Sequence, residues 1–242
     1  MTPSIGPPTF EIAIIGLGPV GAALANILGQ YKISTAVIER DAAPYHLPRA
    51  VAFDDEVMRI FQSIELAKPI NEIVEVGEGV DFVDEDGEVL VNWDRPKVIS
   101  PNGWYINYRF YQPELEGILR KGLLRYSTVQ TFLHREVFDL AEDTDGVNVQ
   151  FKDLKTGKLG EIRSSFVIGC DGARSFIRDK IGKGFEDLGF NEPWLVVDLV
   201  LDIPRPDLGP QSVNHCDPNR SATYVFLAGD RRRWEIRLKP ED

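Results

Sequence analysis

The segment Phe10-Glu-Ile-Ala-Ile-Ile-Gly-Leu-Gly-Pro-Val-Gly21 runs an apolar strand straight into three glycines, and a second apolar stretch, Val37-Ile38, ends in Glu39-Arg40. No other feature of the chain narrows its fold so far. Ile12 to Ile15 has the near-continuous apolar character of a strand covered on both faces, and Val20, Ala23, Leu24, Ile27 and Leu28 recur at helical spacing before Gly29. Gly16, Gly18 and Gly21 stand in the G-x-G-x-x-G pattern. The first glycine permits the tight turn, the second lets backbone approach a pyrophosphate, and the third allows helix to pack closely on strand. The helix start then offers its free N–H groups and positive dipole end to that pyrophosphate. Glu39 closes the second strand, where a carboxylate accepts the hydroxyls of an adenosine ribose and repels a 2′-phosphate, which favours FAD or NAD over NADP. Glycines fall into such spacings in many loops; strand, helix and acid together set this one apart.

Composition bounds the remainder. A chain of 242 residues with 43% hydrophobic content can bury one large core or two modest ones. Its net charge of -11 argues against nucleic acid or an anionic membrane surface as partner. No apolar run reaches transmembrane length, and residues 1–9 lack the regions of a signal peptide and read as a short disordered leader. Cys170 and Cys216 stand far apart, and with three histidines in the chain, His46, His134 and His215, no metal ligand set, triad or disulfide framework is suggested. A reducing, cytoplasmic setting is the expectation.

Further along, Asp54 to Leu66 predicts a helix with Val57, Ile60, Phe61 and Ile64 on one face. Val80 to Val83 and Glu88 to Val91 flank an acidic, glycine-containing turn and predict a β-hairpin. Gln112 to Leu123 is again helical, with Pro113 suited to the first turn and Leu115, Ile118, Leu119 and Leu123 as its stripe. Strands follow at Val147 to Phe151, at Ile162 and at Phe166 to Cys170, with one or two helical turns at Phe176 to Ile181. Beyond Gly184 the pattern is β throughout: Trp194 to Ile203, Val213 to Cys216, Thr223 to Leu227 and Trp234 to Leu238. The expected fold class is α/β: a Rossmann-type domain with an inserted β-hairpin, joined to an antiparallel-sheet domain.

Four motifs in order carry a resemblance: G-L-G-P-V-G with Glu39-Arg40, Pro48-Arg-Ala50 followed by Asp54-Asp-Glu56, Tyr111-Gln-Pro-Glu-Leu-Glu116, and Cys170-Asp-Gly-Ala-Arg-Ser-Phe-Ile-Arg178. Together they resemble the single-component FAD-dependent aromatic hydroxylases. His215-Cys-Asp-Pro and Arg232-Arg-Trp-Glu235 bring the chain nearest to the 3-(3-hydroxyphenyl)propionate hydroxylases. The resemblance implies hydroxylation of a small phenolic or other aromatic substrate, with NADH or NADPH as reductant and dioxygen as the oxygen source. It implies that Gly16, Gly18, Pro19, Val20 and Gly21 hold the FAD pyrophosphate, that Glu39 holds the ribose and that Arg40 lies against adenine. Arg49 would pair with a phosphate, Gln112 would contact the ribityl or phosphate region, a backbone group at Val137 would meet adenine, and Asp171 would serve FAD and the nicotinamide cofactor. Arg174 and Arg178 would brace the Asp171 loop or meet the incoming nicotinamide nucleotide. The implied domains are an FAD-binding domain, 10–75 and 105–184, and an incomplete substrate domain, 76–104 and 185–242. A homo-oligomer is left open.

Ordinary readings stand beside these. An isolated arginine is usually a solvated surface group, so Arg40 and Arg49 take their weight from position alone. Gln112 is as well suited to capping its helix, Asp171-Gly172 is a common turn former, and Trp93, Trp104, Tyr105, Tyr108, Phe110 and Tyr111 suit a core as much as a pocket. The family's second flavin motif is not found. Leu227-Ala-Gly-Asp230 runs into Arg231-Arg-Arg-Trp234 where the family has small residues, and so reads as a hairpin turn. The expectation is therefore a chain truncated at its C-terminus, with apolar surface left exposed. An NAD-dependent dehydrogenase would explain Gly16 to Glu39 but none of the later motifs, and a non-catalytic nucleotide-binding fold is the remaining alternative.

Overall fold

The computed structural model describes residues 6–47 and 49–242, which divide into two compact units. The first unit opens with β1 (Thr9–Ile15), α1 (Pro19–Gln30) and β2 (Thr35–Glu39). The second begins with β3 (Ala52–Phe53), α2 (Asp55–Ser63), α3 (Ala67–Asn71), β4 (Glu75–Val76), β5 (Gly79–Val83), β6 (Val89–Asp94) and β7 (Tyr108–Arg109). The chain then returns to the first unit through α4 (Gln112–Gly122), β8 (Val129–Leu133), β9 (Arg135–Asp143), β10 (Gly146–Asp153), β11 (Leu159–Gly169) and α5 (Phe176–Lys180). It completes the second with β12 (Trp194–Val200), β13 (Ser212–His215), β14 (Ala222–Phe226) and β15 (Arg231–Arg237). Residues 49–75 and 105–112 thus cluster with the second unit, whereas the sequence grouped them with the first. The cause is an aromatic cluster in which Phe53 stacks on Tyr108 at 5.2 Å and meets Phe61 and Phe110 at 5.4 and 5.3 Å.

In the first unit the sheet order is β8-β2-β1-β11-β10-β9. β8, β2, β1 and β11 run parallel, and β10 and β9 extend the sheet antiparallel. Four of the five residues of β2 are buried, as a strand covered on both faces requires. One face carries a core of Phe10, Ala13, Ile15, Ala36, Ile38, Val149, Phe151, Ile162 and Ile177. Ordered structure begins earlier than the expected leader allows, because Thr9 already pairs with Arg163 and the Arg163 N–H donates to the Pro8 carbonyl at 2.9 Å. Residues 1–5 of that leader lie outside the described residues. The sequence also gave no warning of β8 and β9. β9 mixes charged and apolar residues along a sheet edge, where charges discourage pairing with another chain.

The helix side of this unit is pinned by a polar residue. Asn26, fully buried on α1, donates to the carbonyls of Ala22 and Leu119 at 2.8 and 2.9 Å and accepts from Arg125 at 3.1 Å. This ties α1 to α4 and to the turn after it.

The second unit holds a six-stranded sheet, β12-β15-β14-β13-β5-β6, and a three-stranded one, β3-β7-β4. The larger sheet is not wholly antiparallel as expected, since β13 pairs with β5 in parallel from Ser212↔Val80 to His215↔Val83. No tight turn links these two strands, so nothing forces them to run in opposite directions. The β5–β6 hairpin forms where expected: Asp84 accepts from the N–H groups of Asp86 and Glu88, and Gly87 takes a positive φ of 86°. Gly229 and Asp230 do form the turn between β14 and β15. On α2, capped by Asp54 at the Val57 N–H, the buried residues are Met58 and Phe61, while Ile60 faces out. Tyr108 and Phe110 are core residues, whereas Trp93 is exposed on β6. Among the described residues no helix is long and apolar enough to cross a membrane.

Replacing Asn26 by Leu removes these three hydrogen bonds. It is expected to destabilise the chain by about 1–3 kcal/mol, read from urea unfolding; an unchanged midpoint would mean water replaces those bonds.

Candidate dinucleotide site

Gly16 leaves β1 with φ of 103°, and a Cβ there would lie 2.3 Å from the carbonyl oxygen of Cys170. A Cβ on Gly21 would lie 2.1 Å from the carbonyl oxygen of Gly16. Both positions therefore admit glycine alone. Gly18 differs: its backbone is extended, and a Cβ would meet nothing within 4 Å. The fold leaves open space at this glycine.

Pro19 takes the first position of α1, where its missing N–H costs nothing. The helix has no side-chain cap and no acid in its first turn, so the N–H groups of Val20 and Gly21 and the positive dipole end stay available. Val20 is well exposed beside them. Glu39 is clamped at both oxygens: Oε2 accepts from the Leu17 N–H at 2.6 Å and Oε1 from the Asp41 N–H at 2.8 Å. A carboxylate oxygen accepts more than one hydrogen bond, so each can still receive a ribose hydroxyl. Arg40 is exposed and lies 3.6 Å from Asp41, a surface pair of little energetic weight.

Asp171 follows β11 and shapes its own loop. Its carboxylate accepts from the Ser175 hydroxyl at 2.5 Å and from the Ile177 N–H at 3.0 Å, while Ser175 caps α5 at the Arg178 N–H. Gly172 beside it has φ of 80°. Arg178 donates to the Ala173 carbonyl at 2.9 Å and so braces the loop, and Arg174 is exposed. Burial, and after it the Asp171 carboxylate, pushes the Cys170 thiol above its ordinary pKa, so it stays neutral against the glycine turn.

β1 and β2 and the loop after β11 thus bring Gly16, Gly18, Pro19, Val20, Gly21, Glu39, Arg40 and Asp171 to the C-terminal ends of neighbouring strands. Val137 is not among them. It sits on the edge strand β9 opposite Phe151, at an irregularity in the ladder, with its side chain packed on the core.

Arg49 and Gln112 belong to the second unit and are joined there. The Gln112 side-chain oxygen accepts from the N–H groups of Arg49 and Ala50 at 2.9 and 2.8 Å. Arg233 donates to the Arg49 carbonyl at 3.2 Å and grips Asp198 with two bonds of 2.8 and 3.1 Å. Gln112 is therefore a loop fastener in addition to the first residue of its helix, and Arg233, 2% exposed, is a support the sequence did not reveal. Read along the chain, Arg233 was part of an arginine run after a turn. Its meaning comes from the β12–β15 register that sets it opposite Asp198. The Leu17 amide and Ser175 were likewise missed; serine four residues after Asp171 was the available signal.

A parallel sheet, an uncapped helix behind an open glycine and an anchored carboxylate at the second strand end define a dinucleotide-binding chain, and the residues fit the pyrophosphate and ribose of such a ligand. The family model for the FAD binding domain matches residues 9–233, and the chain belongs to that family. It is 36% identical over 240 residues to a probable NADH-specific resorcinol 4-hydroxylase of Rhodococcus jostii RHA1, covering 98% of this chain and 44% of that protein. It is 33% identical over 230 residues to a 3-(3-hydroxy-phenyl)propionate/3-hydroxycinnamic acid hydroxylase of Paraburkholderia xenovorans LB400, covering 95% of this chain and 36% of that one. The chain thus spans less than half the length of these relatives. The crystal structure of p-nitrophenol 4-monooxygenase PnpA from Pseudomonas putida DLL-E4 superposes with a TM-score of 0.86 over 97% of this chain and 59% of its own, at 22% identity, and so shares the fold.

The glycines make a paired test. Gly18→Ala is expected to change stability by no more than about 1 kcal/mol while weakening FAD binding in a fluorescence titration. Gly21→Ala forces α1 away from β1 and is expected to lower the melting temperature sharply. Equal effects of the two on stability would refute the assignment of Gly18 to a ligand.

Proposed function

We propose that this chain serves in an FAD-dependent monooxygenase that hydroxylates a phenolic or related aromatic compound with NADH or NADPH and dioxygen. The observation that carries the reading is Gly18, a glycine the fold itself does not need, facing open space between the uncapped start of α1 and the clamped Glu39 carboxylate. Membership of the FAD-binding family and the two hydroxylase relatives support the chemistry.

In this reading Gly16, Gly18, Pro19, Val20 and Gly21 hold the pyrophosphate, Glu39 takes the ribose hydroxyls, and Arg40 and the backbone at Val137 attend the adenine. Arg49 supplies a cation for a phosphate, on a loop set by Gln112 and Arg233, and Asp171 presents a shaped loop rather than a lone carboxylate. The first unit is the cofactor-binding part and the second the substrate part. FAD, when bound, supplies the redox chemistry and oxygen transfer, and the protein contributes binding, orientation and exclusion of water. The two free cysteines agree with a reducing, cytoplasmic setting.

The test is a visible spectrum and a thermal melt after adding FAD and removing the excess. FAD at about 100 times its dissociation constant is expected to stabilise the fold by about 2.7 kcal/mol, and Glu39→Ala to remove most of that gain. Phenol-dependent oxidation of NADH or NADPH then checks the reaction. A colourless chain whose melting temperature rises with NAD but not with FAD would sink the proposal in favour of a dehydrogenase.

A further inference from the structure

Three consecutive arginines open β15, and they do different things. Arg232 folds back on its own turn, donating to the Gly229 carbonyl at 2.8 Å with its guanidinium 4.5 Å from the Phe226 ring centroid. Strand alternation puts Arg231 and Arg233 together on the other face. There the Arg231 guanidinium lies 4.2 Å from the ring centroid of Tyr111, the residue before Gln112, and Arg233 reaches the Arg49 carbonyl at 3.2 Å.

Arg49 is thereby held at both of its backbone polar groups. Its N–H donates to Gln112 Oε1 at 2.9 Å, and its carbonyl accepts from Arg233 Nη1. The two side chains that hold it are 6% and 2% exposed, whereas Arg49 itself is exposed. Arg233 is fixed in turn. Asp198, opposite it on β12, accepts from Nε at 2.8 Å and from Nη2 at 3.1 Å, and Glu235 Oε1 lies 3.5 Å from Nη1.

Taking a guanidinium, its carboxylate and a glutamine amide out of water is costly. An ordinary surface loop satisfies the same backbone groups with solvent. Here enclosed polar side chains fix the backbone beneath one exposed cation. A side chain on a fixed backbone has less freedom to lose when it meets an anion, so the arrangement favours binding by preorganisation.

We infer that Arg233 and Asp198 are positioning residues of the FAD site, setting the affinity for the cofactor through the backbone of Arg49 rather than by contact with it. That the anion met by Arg49 is a phosphate of FAD rests on the monooxygenase reading. The pair β12–β15 thus serves cofactor binding although it belongs to the sheet of the other unit.

The experiment is a fluorescence titration of the chain with FAD and a calorimetric one with inorganic pyrophosphate, each at several ionic strengths, with ligand-free melting temperatures alongside. Arg49→Met and Arg233→Met are each expected to weaken FAD binding about tenfold, the equivalent of 1.4 kcal/mol. Both are expected to flatten its salt dependence, because a contact between arginine and phosphate is screened by salt. The double variant is expected to bind no more weakly than Arg49→Met alone, since residues that act through one another are not additive. Asp198→Asn and Arg233→Lys carry the same comparison where Arg233→Met fails to fold. A merely structural arginine would lower the melting temperature, leave the salt dependence intact and add its loss of affinity to that of Arg49→Met. Undiminished FAD binding by Arg233→Met, full additivity in the double variant, or an Arg49→Met chain that binds FAD like the unsubstituted one each overturns the proposal. A chain that ignores FAD but binds pyrophosphate through Arg49 and Arg233, in the same non-additive way, overturns the monooxygenase reading and leaves the positioning role standing. A chain that binds neither overturns both.

Discussion

The structure of the first unit hangs on two backbone contacts too close for any side chain, Gly16 against the Cys170 carbonyl and Gly21 against the Gly16 carbonyl. The first locks the end of β1 to the end of β11; the second brings α1 down upon that junction. With both in place, the Leu17 amide lies where Glu39 can reach it from β2, and the Asp171 loop begins beside the same turn. Hydrophobic burial supplies most of the stability of such a sheet, but it is tolerant of small displacements. Steric exclusion at 2.1 and 2.3 Å is not, and it fixes the geometry of everything at that end.

The chain is acidic overall, yet its buried charges include two arginines treated in opposite ways. Arg233 is enclosed with its counter-ion and also donates to the Arg49 carbonyl, so a side chain on β15 helps to set the position of a loop far away in sequence. Arg109 is enclosed with another cation acting on it. The first arrangement ties strand, counter-ion and loop together.

The parts of the fold visible in the sequence were those governed by local rules. The βαβ opening, the helix starting at Gln112, the hairpin about Asp84 and the turn at Gly229 follow from periodicity, capping and glycine placement. What escaped depended on distant partners. β8 and β9 carry the mixed composition of exposed edge strands, and the parallel union of β13 with β5 joins segments that share no turn. The role of Arg233 exists only once register places it opposite Asp198. The grouping of residues 49–75 with the second unit likewise depends on Phe53 finding Tyr108 and Phe110. At the site, the glycines and Glu39 were legible because their chemistry is written in spacing. Gln112 was read as a cap or a cofactor contact because its two bonds to Arg49 and Ala50 cross a loop no pattern predicts.

The parallel pairing of β5 with β13 also sets an order of events during synthesis. β5 is complete at Val83, but its partner is not made until His215. β6, with Val89, Leu90, Val91 and Trp93 exposed, can zip onto β5 within the hairpin at once, yet the other edge of β5 must wait for most of the chain. β1 is in a similar position, able to take β2 early and β11 only much later. Long-range pairing of this kind slows folding and leaves strand edges open meanwhile. A ribosome-bound chain of this protein therefore presents two unfinished sheet edges at the same time, one closed when β11 is made and the other only when β13 follows.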